Sequence, residues 1–312
     1  MKSALAMALI AAVALPSWSS GAPRAIVFLP GKGSHGYGSH AFVAGSHLLA
    51  DALNSKLAGV RAVVREDGWP TEPTALEGAS AIVIFCDANA VIGDHYPEAD
   101  ALAKKGVGFA FLHYALDVGN KERGAFLVRW IGGYYEQNWS VNPTWTAGFT
   151  SLPVHPITRG VRPFSIADEW YYHMRFTDGM VGVIPILTAV PPDKTREQPD
   201  GPHSNNPTVR SRRGMPEHVA WAFERPGGGR GFGFTGGHSH WNWAHDDYRT
   251  LVLNAIAWVA GLDVPPDGIA SPTPSPESLM ANQHAEPPAD WSREKLLGIM
   301  EKIRAGKQTG SP

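Results

Sequence analysis

Short apolar runs alternate with longer amphipathic segments over most of the chain. The runs at residues 24–30, 60–64, 79–85, 107–112 and 231–235 have the continuous apolar character of strands buried on both faces. The segments at residues 41–57, 97–105 and 124–131 have the spacing of helices, and another helix follows the last run, with Leu251, Ile256 and Val259 on one face and Gly261 at its end. This alternation predicts a doubly wound α/β fold with a mostly parallel sheet.

The remaining segments of the chain fit the same fold class. Residues 183–190 and 218–223 predict further strands on the same sheet or at its edge. Residues 134–165 are aromatic and Pro-rich, which favours irregular structure or short antiparallel strands, and residues 191–215 have the composition of a surface loop.

The two ends of the chain do not have the composition of a globular domain. Residues 1–22 have a lysine, an apolar stretch and the small residues Ser20 and Ala22, which is the order of a secretory signal peptide and predicts a periplasmic or secreted protein. No second apolar run of spanning length occurs, so we expect no membrane span in the mature chain. Residues 23–264 form the expected domain, residues 265–289 a Pro-rich linker, and residues 290–312 an amphipathic, loosely attached helix and tail.

Charge and composition exclude several classes of function. The formal net charge is -2 with mixed signs, so nothing indicates a nucleic-acid partner or an anionic membrane. The single cysteine, Cys86, permits no intrachain disulfide, and its apolar surroundings indicate a buried, inert thiol. The 11 Trp and 8 Tyr residues suit a concave site for a carbohydrate small molecule, although core packing explains most Trp residues in most proteins.

Polar residues follow the predicted strands where they end. They are Ser34, His35 and His40 after the first strand, Asp87 after the third, His113 after the fourth, and His238 and His240 after the run at 231–235. In parallel α/β sheets these ends share one edge, so we expect the side chains to form one rim. Of the last two histidines, we expect His238 to point inward because it directly follows Gly237.

Imidazole and carboxylate groups bind zinc, manganese or iron, and they are also common general acids and bases. We therefore take His113 and His238 as the central pair, as ligands or as acid and base. His35, His113 and His238 form the candidate set for a divalent metal. Ser34, His35 and Asp87 are candidate substrate contacts on the same rim.

A second dense stretch is ADEWYYHMRF, residues 167–176. If the backbone is extended, Glu169, Tyr171 and His173 share one face, which makes Glu169 and His173 a second acid/base pair. An ordinary edge strand with exposed polar groups explains the pattern equally well. Aromatic side chains that could stack on sugar faces are Trp170, Tyr172, Trp241 and Trp243.

Four stretches resemble the ThuA-like family, which is named for trehalose utilisation. They are KGSHGYGSHAFVAGSHLLADAL, VGFAFLHYAL, HPITRGVRPFSIADEWYYHMRF and GGGRGFGFTGGHSHWNWAHDDYRTLVLNAIAWVAG, and the resemblance covers residues 25–264. It implies the class I glutamine-amidotransferase-like fold, a flavodoxin-like three-layer sandwich. In amidotransferases of that fold, the loop after the strand matching residues 107–112 carries the catalytic cysteine. His113 stands there in this chain, so glutaminase activity is not implied.

The resemblance implies a role in carbohydrate metabolism. Together with the rim, it favours an exported enzyme that acts on a sugar or keto-sugar by hydrolysis, isomerisation or elimination. One alternative is a non-catalytic carbohydrate-binding or accessory protein with this fold and no cysteine nucleophile. A third possibility is a structural partner in an envelope complex, docked through residues 290–305.

Overall fold

The computed structural model describes residues 23–72 and 74–306. The predicted signal peptide, residues 1–22, and the end of the predicted tail lie outside the described residues. Within the described part of the chain, no helix has the length and apolar character needed to cross a membrane.

A seven-stranded sheet forms the centre of the fold. The strands of the described chain are β1 (Arg24–Pro30), β2 (Val60–Val64), β3 (Ala79–Phe85), β4 (Gly108–Leu112), β5 (Gly133–Tyr134), β6 (Thr144–Phe149), β7 (Phe164–Glu169), β8 (Arg175–Phe176), β9 (Val183–Ala189), β10 (Glu217–Glu224) and β11 (Arg230–Phe234). The central sheet has the order β2-β1-β3-β4-β11-β10-β9. Its first five strands are parallel, and β10 is antiparallel to both of its neighbours. The predicted mostly parallel α/β sheet is confirmed.

Helices cover both faces of this sheet. They are α1 (Phe42–Lys56), α2 (Tyr96–Lys104), α3 (Lys121–Ile131), α4 (Pro207–Arg210), α5 (Asp246–Val259), α6 (Pro276–Met280) and α7 (Arg293–Arg304). Helices α1 and α5 contribute to one apolar core, and α2 and α3 to the other. Alternate residues of β1 belong to the two cores, which explains why the whole strand is apolar.

The aromatic, Pro-rich middle of the chain contains an antiparallel pair. Strand β6 pairs with β7 over their full lengths, from Thr144 opposite Glu169 to Phe149 opposite Phe164. Alternate residues of β6 are buried, so one face of the pair packs on the core and the other is open. This arrangement agrees with the short antiparallel strands that composition allowed.

The chain after Val264 packs against the domain. Composition predicted an extended linker and a loosely attached helix, but Ile269, Leu279, Leu296, Met300 and Ile303 are all buried in the core that contains α5. Burial of an aliphatic side chain contributes roughly 1.5–3 kcal/mol, so such contacts outweigh the flexibility that a Pro-rich composition suggests. The domain boundary near Val264 stays a prediction, but the segment beyond it lies on the domain.

Two buried polar side chains of α5 hold this segment in place. Arg249 donates to the hydroxyl of Ser271 at 2.6 Å and to its carbonyl at 2.9 Å. Asn254 accepts from the backbone N–H of Ile269 at 2.8 Å and donates to the carbonyls of Ile157 and Arg159. Except for the bond to the Ser271 hydroxyl, each of these bonds replaces water at a backbone N–H or carbonyl group.

We predict that Asn254→Ala destabilises the protein, because it leaves the Ile269 N–H and two carbonyls without their partner. The expected decrease in the free energy of unfolding is roughly 1–3 kcal/mol for each buried group left unpaired. Urea denaturation measures it. The control, Lys302→Ala on the exposed side of α7, is expected to change stability by less than about 0.5 kcal/mol. Equal stability of both variants would contradict the assigned role of Asn254.

Candidate functional site

Four neighbouring parallel strands end in register at one edge of the sheet. Their last residues, Pro30, Phe85, Leu112 and Phe234, are paired across the sheet. The loops that follow them therefore begin at the same level, as sheet geometry predicts.

Three histidines and one glutamate meet at this edge. His40, His113, Glu169 and His238 each place one possible ligand atom within 4.8 Å of the others. His40 ends the loop after β1, His113 follows β4 directly, His238 follows β11, and Glu169 is the last residue of β7. We call these four residues the metal centre.

His113 is held by a backbone carbonyl. Its Nδ1 lies 2.9 Å from the carbonyl oxygen of Thr235, which can only accept, so Nδ1 carries the proton and donates. Its Nε2 then has a lone pair, and it lies 3.0 Å from Nε2 of His40 and 3.2 Å from the hydroxyl of Tyr171. His113 has a φ of +56°, a strained conformation for a residue with a side chain.

His40 is held by a carboxylate. Its Nδ1 lies 2.8 Å from Oδ1 of Asp87 and 2.9 Å from the hydroxyl of Ser34. Burial favours the neutral form of Asp87, but hydrogen bonds with His40 and Ser34 outweigh it and lower the pKa of this carboxyl group. The anionic Asp87 therefore accepts the Nδ1 proton of His40, and Nε2 of His40 faces the metal centre.

These outer hydrogen bonds have the pattern of a metal site. Metal-bound imidazoles usually donate their second N–H to a carboxylate or a backbone carbonyl, which fixes the tautomer. The Nε2 atoms of His40 and His113 face each other at 3.0 Å, so a proton or a cation must lie between them. Burial, and then the neighbouring His40, lower the pKa of His113 well below its usual value, so Nε2 of His113 is available to a cation or a hydrogen-bond donor. Nitrogen ligands of one tetrahedral zinc ion lie about 3.3 Å apart, so a shift of a few tenths of an ångström suffices.

His238 places a buried ring nitrogen beside Glu169. Its Nδ1 lies 3.1 Å from Oε2 of Glu169, within ion-pair distance but without the geometry of a hydrogen bond. Burial favours the neutral ring, but the close carboxylate of Glu169 outweighs it and raises the pKa of His238. The same Oε2 atom lies 3.5 Å from Nε2 of His113. The four residues thus fit a divalent cation by donor type, orientation and spacing.

Asp168 fixes the turn that carries His238. Its Oδ2 accepts from the backbone N–H of Gly237 at 2.8 Å and from the hydroxyl of Tyr248 at 2.7 Å, and its Oδ1 lies 3.3 Å from the N–H of Ser239. Gly237 has a φ of +111°, which strongly favours glycine. The sequence did not predict this positioning role of Asp168. The only sign of it was the pair of adjacent acidic residues, Asp168 and Glu169.

The loops after β1 and β11 are also joined through their backbones. The N–H of His40 donates to the carbonyl of His238 at 3.0 Å, and the N–H of His240 donates to the carbonyl of Gly38 at 2.8 Å. His240 itself is buried with its side chain outside the metal centre. Of the two histidines in HSH, only His238 belongs to the group, as expected.

His40 takes the position that we assigned to His35. The structure brings His113, His238 and Glu169 together, but the exposed His35 is not one of the four grouped residues. The ring of His35 lies 3.8 Å from that of His40, and its Nδ1 contacts Ser34. The backbone of His40 has a φ of +45°, and sequence pattern alone does not reveal which histidine of a Gly-rich loop adopts this conformation.

His173 lies away from the metal centre, which corrects its pairing with Glu169. Strand β7 ends at Glu169 and His173 has a φ of +59°, so the extended backbone needed for a shared face does not continue. The ring of His173 stacks on Trp139 at 4.4 Å and its Nε2 contacts the hydroxyl of Thr208. Tyr171 does reach the centre, with its hydroxyl 3.2 Å from Nε2 of His113.

The four aromatic residues expected to stack on sugars are structural. Trp170, Tyr172 and Trp243 are at most 1 % exposed. Trp241 is 7 % exposed and stacks on Trp291 of the C-terminal segment. Their burial depends on packing partners distant in sequence, which a local pattern does not show.

The C-terminal segment supports the loop that carries His40. The Nε2 atom of His284 is 2.7 Å from the carbonyl oxygen of His35. The side-chain carbonyl of Gln283 accepts a hydrogen bond from the N–H of Gly38 at 3.2 Å. Trp291 contacts Tyr37 of the same loop. The buried Cys86 takes no part in this chemistry, because burial raises the pKa of its thiol to about 12.

A family profile described as "ThuA: Trehalose utilisation" matches residues 27–259. The comparison with curated proteins gives no significant match. A solved ThuA-like protein from Bacteroides uniformis aligns with a TM-score of 0.55 at 16% identity, covering 79% of this chain and 95% of that chain. A ThuA-like protein from Parabacteroides merdae aligns with a TM-score of 0.52 at 12% identity, covering 78% and 92%. A glutamine amidotransferase from Thermotoga maritima aligns with a TM-score of 0.39 at 8% identity, covering 69% and 75%.

The sheet order and the similarity to the two solved ThuA-like proteins agree on one mostly parallel α/β fold. The profile spans most of the described chain, including every residue of the metal centre. The chain therefore belongs to the ThuA family, whose description as trehalose utilisation supports a carbohydrate-related role in general terms.

Proposed function

We propose that the protein is an exported, metal-dependent enzyme that acts on a sugar or a keto-sugar. The observation that carries the proposal is the orientation of the metal centre. His40 and His113 both direct Nε2 inward because their Nδ1 atoms are held by Asp87 and by the carbonyl of Thr235. Three imidazoles and a carboxylate suit zinc, manganese or iron.

A bound divalent ion would act as a Lewis acid on a sugar oxygen or would lower the pKa of a bound water. The protein residues supply the surrounding proton donors and acceptors. Burial, followed by the negative charge of Glu169, raises the pKa of Tyr171 well above its usual value, so its phenol stays protonated and can donate. Hydrolysis, isomerisation and elimination all require a polarised oxygen and a nearby proton donor or acceptor, which this arrangement provides.

Exposed polar side chains beside the metal centre favour a polar substrate. Ser34 and His35 are exposed there, next to the buried His40. Export is supported by the signal-peptide pattern of residues 1–22. Fractionation of the producing cells, with sequencing of the mature N-terminus, tests that part of the proposal.

The first prediction of the proposed function concerns metal binding. We expect the purified protein to bind about one divalent ion per chain, and we expect His113→Ala to weaken binding by at least 100-fold, because it removes a ligand. Asp87→Asn should weaken binding by about 10- to 100-fold, because it removes the outer partner of His40. Elemental analysis and calorimetric titration with Zn²⁺, Mn²⁺ and Fe²⁺ measure this.

The matched control is His95→Ala, which removes an exposed imidazole on the N-terminal side of α2. Its metal affinity should equal that of the unaltered protein. The metal assignment fails if the unaltered protein binds no ion, or if His113→Ala and His95→Ala bind the ion equally well.

The second prediction concerns catalysis. Tyr171→Phe removes only the hydroxyl beside His113, so we expect metal content to persist while kcat on sugar or 3-keto-disaccharide substrates falls by about 100-fold or more. Tyr96→Phe, whose hydroxyl contacts Asn89, is the control and should retain full kcat. Sugar binding by the unaltered protein without any turnover would instead support a non-catalytic carbohydrate-binding protein.

A further inference from the structure

A short connection between two C-terminal helices lies against the loop that carries His40. We call this connection, residues 281–291 between α6 and α7, the strap. Both of its ends are anchored, because Leu279 of α6 and Leu296 of α7 are buried in the core that contains α5. An ion pair between Glu277 and Arg293, with 2.6 Å between Oε1 and Nε, also joins the two helices. Side chains of the strap can therefore be changed without releasing the segment from the domain.

Two side chains of the strap hold the loop by its backbone. The side-chain carbonyl of Gln283 accepts from the N–H of Gly38 at 3.2 Å, and its amide nitrogen donates to the carbonyl of Leu279 at 3.0 Å. The Nε2 atom of His284 is 2.7 Å from the carbonyl oxygen of His35, which can only accept, so Nε2 carries the proton and donates. The strap thus binds one N–H and one carbonyl of the loop, and α6 orients the amide that binds the N–H.

The loop and the strap are also in close van der Waals contact. A Cβ atom on Gly33 would lie 2.1 Å from the ring of His284, so a larger residue at this position would displace that ring. Trp291 of the strap stacks on Trp241 with ring centroids 5.1 Å apart, and Tyr37 of the loop contacts both rings. The loop therefore lies between the strap and the segment that follows β11.

Gly38 connects the strap to the metal centre. Its N–H is bound by Gln283, and its carbonyl accepts from the N–H of His240 at 2.8 Å. Two residues later, the N–H of His40 donates to the carbonyl of His238 at 3.0 Å. The φ of +45° at His40 is a conformation that a residue with a side chain keeps only where its surroundings enforce it. The strap is one part of those surroundings.

The loop has little order of its own. Residues 31–38, GKGSHGYG, include four glycines, and glycine loses more conformational freedom on folding than any other residue. The start of the loop is fixed by the bond from the N–H of Gly31 to the carbonyl of Phe85, and its end by the bonds to the turn after β11. Between these two points, the contacts of Gln283 and His284 fix its backbone from outside.

We propose that Gln283 and His284 are positioning residues for His40, and that the strap thereby increases the affinity of the metal centre for its ion. This inference rests on the proposed function and assigns a regulating role to a segment distant from the ligands in sequence. Neither side chain is one of the four residues of the metal centre. They act on the loop backbone, so that Nε2 of His40 faces inward before the ion binds, which lowers the cost of binding.

The experiment measures Zn²⁺ affinity by calorimetry in a double-mutant cycle. Gln283→Ala combined with His284→Ala should weaken Zn²⁺ binding by about 5- to 50-fold, because each lost hydrogen bond accounts for about 2- to 10-fold. The same pair of substitutions in a His40→Ala background should change the affinity by less than about 2-fold, because the residue through which they act is absent. The control Glu286→Ala, at an exposed position of the strap, should leave the affinity unchanged in both backgrounds.

Hydrogen exchange provides the reciprocal measurement, because coupling between two sites acts equally in both directions. Saturating Zn²⁺ should slow the exchange of backbone amides in the strap and in residues 33–40 of the unaltered protein. The same saturation should have a smaller effect in His40→Ala. If the double variant does not fold, His284→Ala is compared with His284→Gln, which keeps a side-chain N–H donor. The alanine should weaken Zn²⁺ binding by about 2- to 10-fold, and the glutamine should retain most of the affinity.

Equal weakening of Zn²⁺ binding in both backgrounds would indicate a general structural role of the strap and would overturn the inference. Unchanged affinity in the folded variants would overturn it as well. In both cases the unaltered protein still binds Zn²⁺, so the proposed metal site stands. If the unaltered protein binds no divalent ion, the proposed function fails and the inference fails with it.

Discussion

The buried carboxylate of Asp168 is the interaction on which the geometry of the metal centre depends. It accepts hydrogen bonds from two N–H groups of the turn after β11 and from the hydroxyl of Tyr248 on α5. Hydrogen bonds to a charged group contribute about 1.5–3 kcal/mol each, so the turn has one strongly preferred position. Because His238 lies within that turn and its carbonyl accepts from His40, one carboxylate positions two of the four candidate ligands.

The outer hydrogen bonds then determine what the inner atoms can bind. Asp87 and the carbonyl of Thr235 each accept the Nδ1 proton of one histidine, so the two Nε2 atoms lie on the same, inner side. Glu169 adds a carboxylate there, and the hydroxyl of Tyr171 adds a hydrogen-bond donor. This set of inward nitrogen and oxygen atoms is the basis of the proposed metal site.

The fold was largely predictable because its signals are local. The runs at 24–30, 60–64 and 79–85 coincide with strands, since residues buried on both faces of a parallel sheet form continuous apolar runs. In a parallel sheet the carboxyl ends of the strands share one edge, and this rule predicted that His113 and His238 lie near each other. Their ring centroids are 5.4 Å apart.

The remaining details depend on the tertiary structure. The choice of His40 over His35 depends on one left-handed backbone conformation and on a carboxylate 47 residues away. The burial of Trp170 and Tyr172, and the packing of α6 and α7, likewise depend on partners distant in sequence. For this reason, composition alone predicted ligand contacts or loose attachment for side chains that are in fact buried in the core.

The four residues of the metal centre have two kinds of support. His113 and Glu169 lie at the ends of strands, where the register of the sheets fixes their backbones. His40 and His238 lie in loops, and a backbone hydrogen bond joins these loops while Asp168 holds the turn around His238. Loops vary in position and sequence more than strands do, so the positions of the two loop histidines depend on the carboxylates of Asp87 and Asp168.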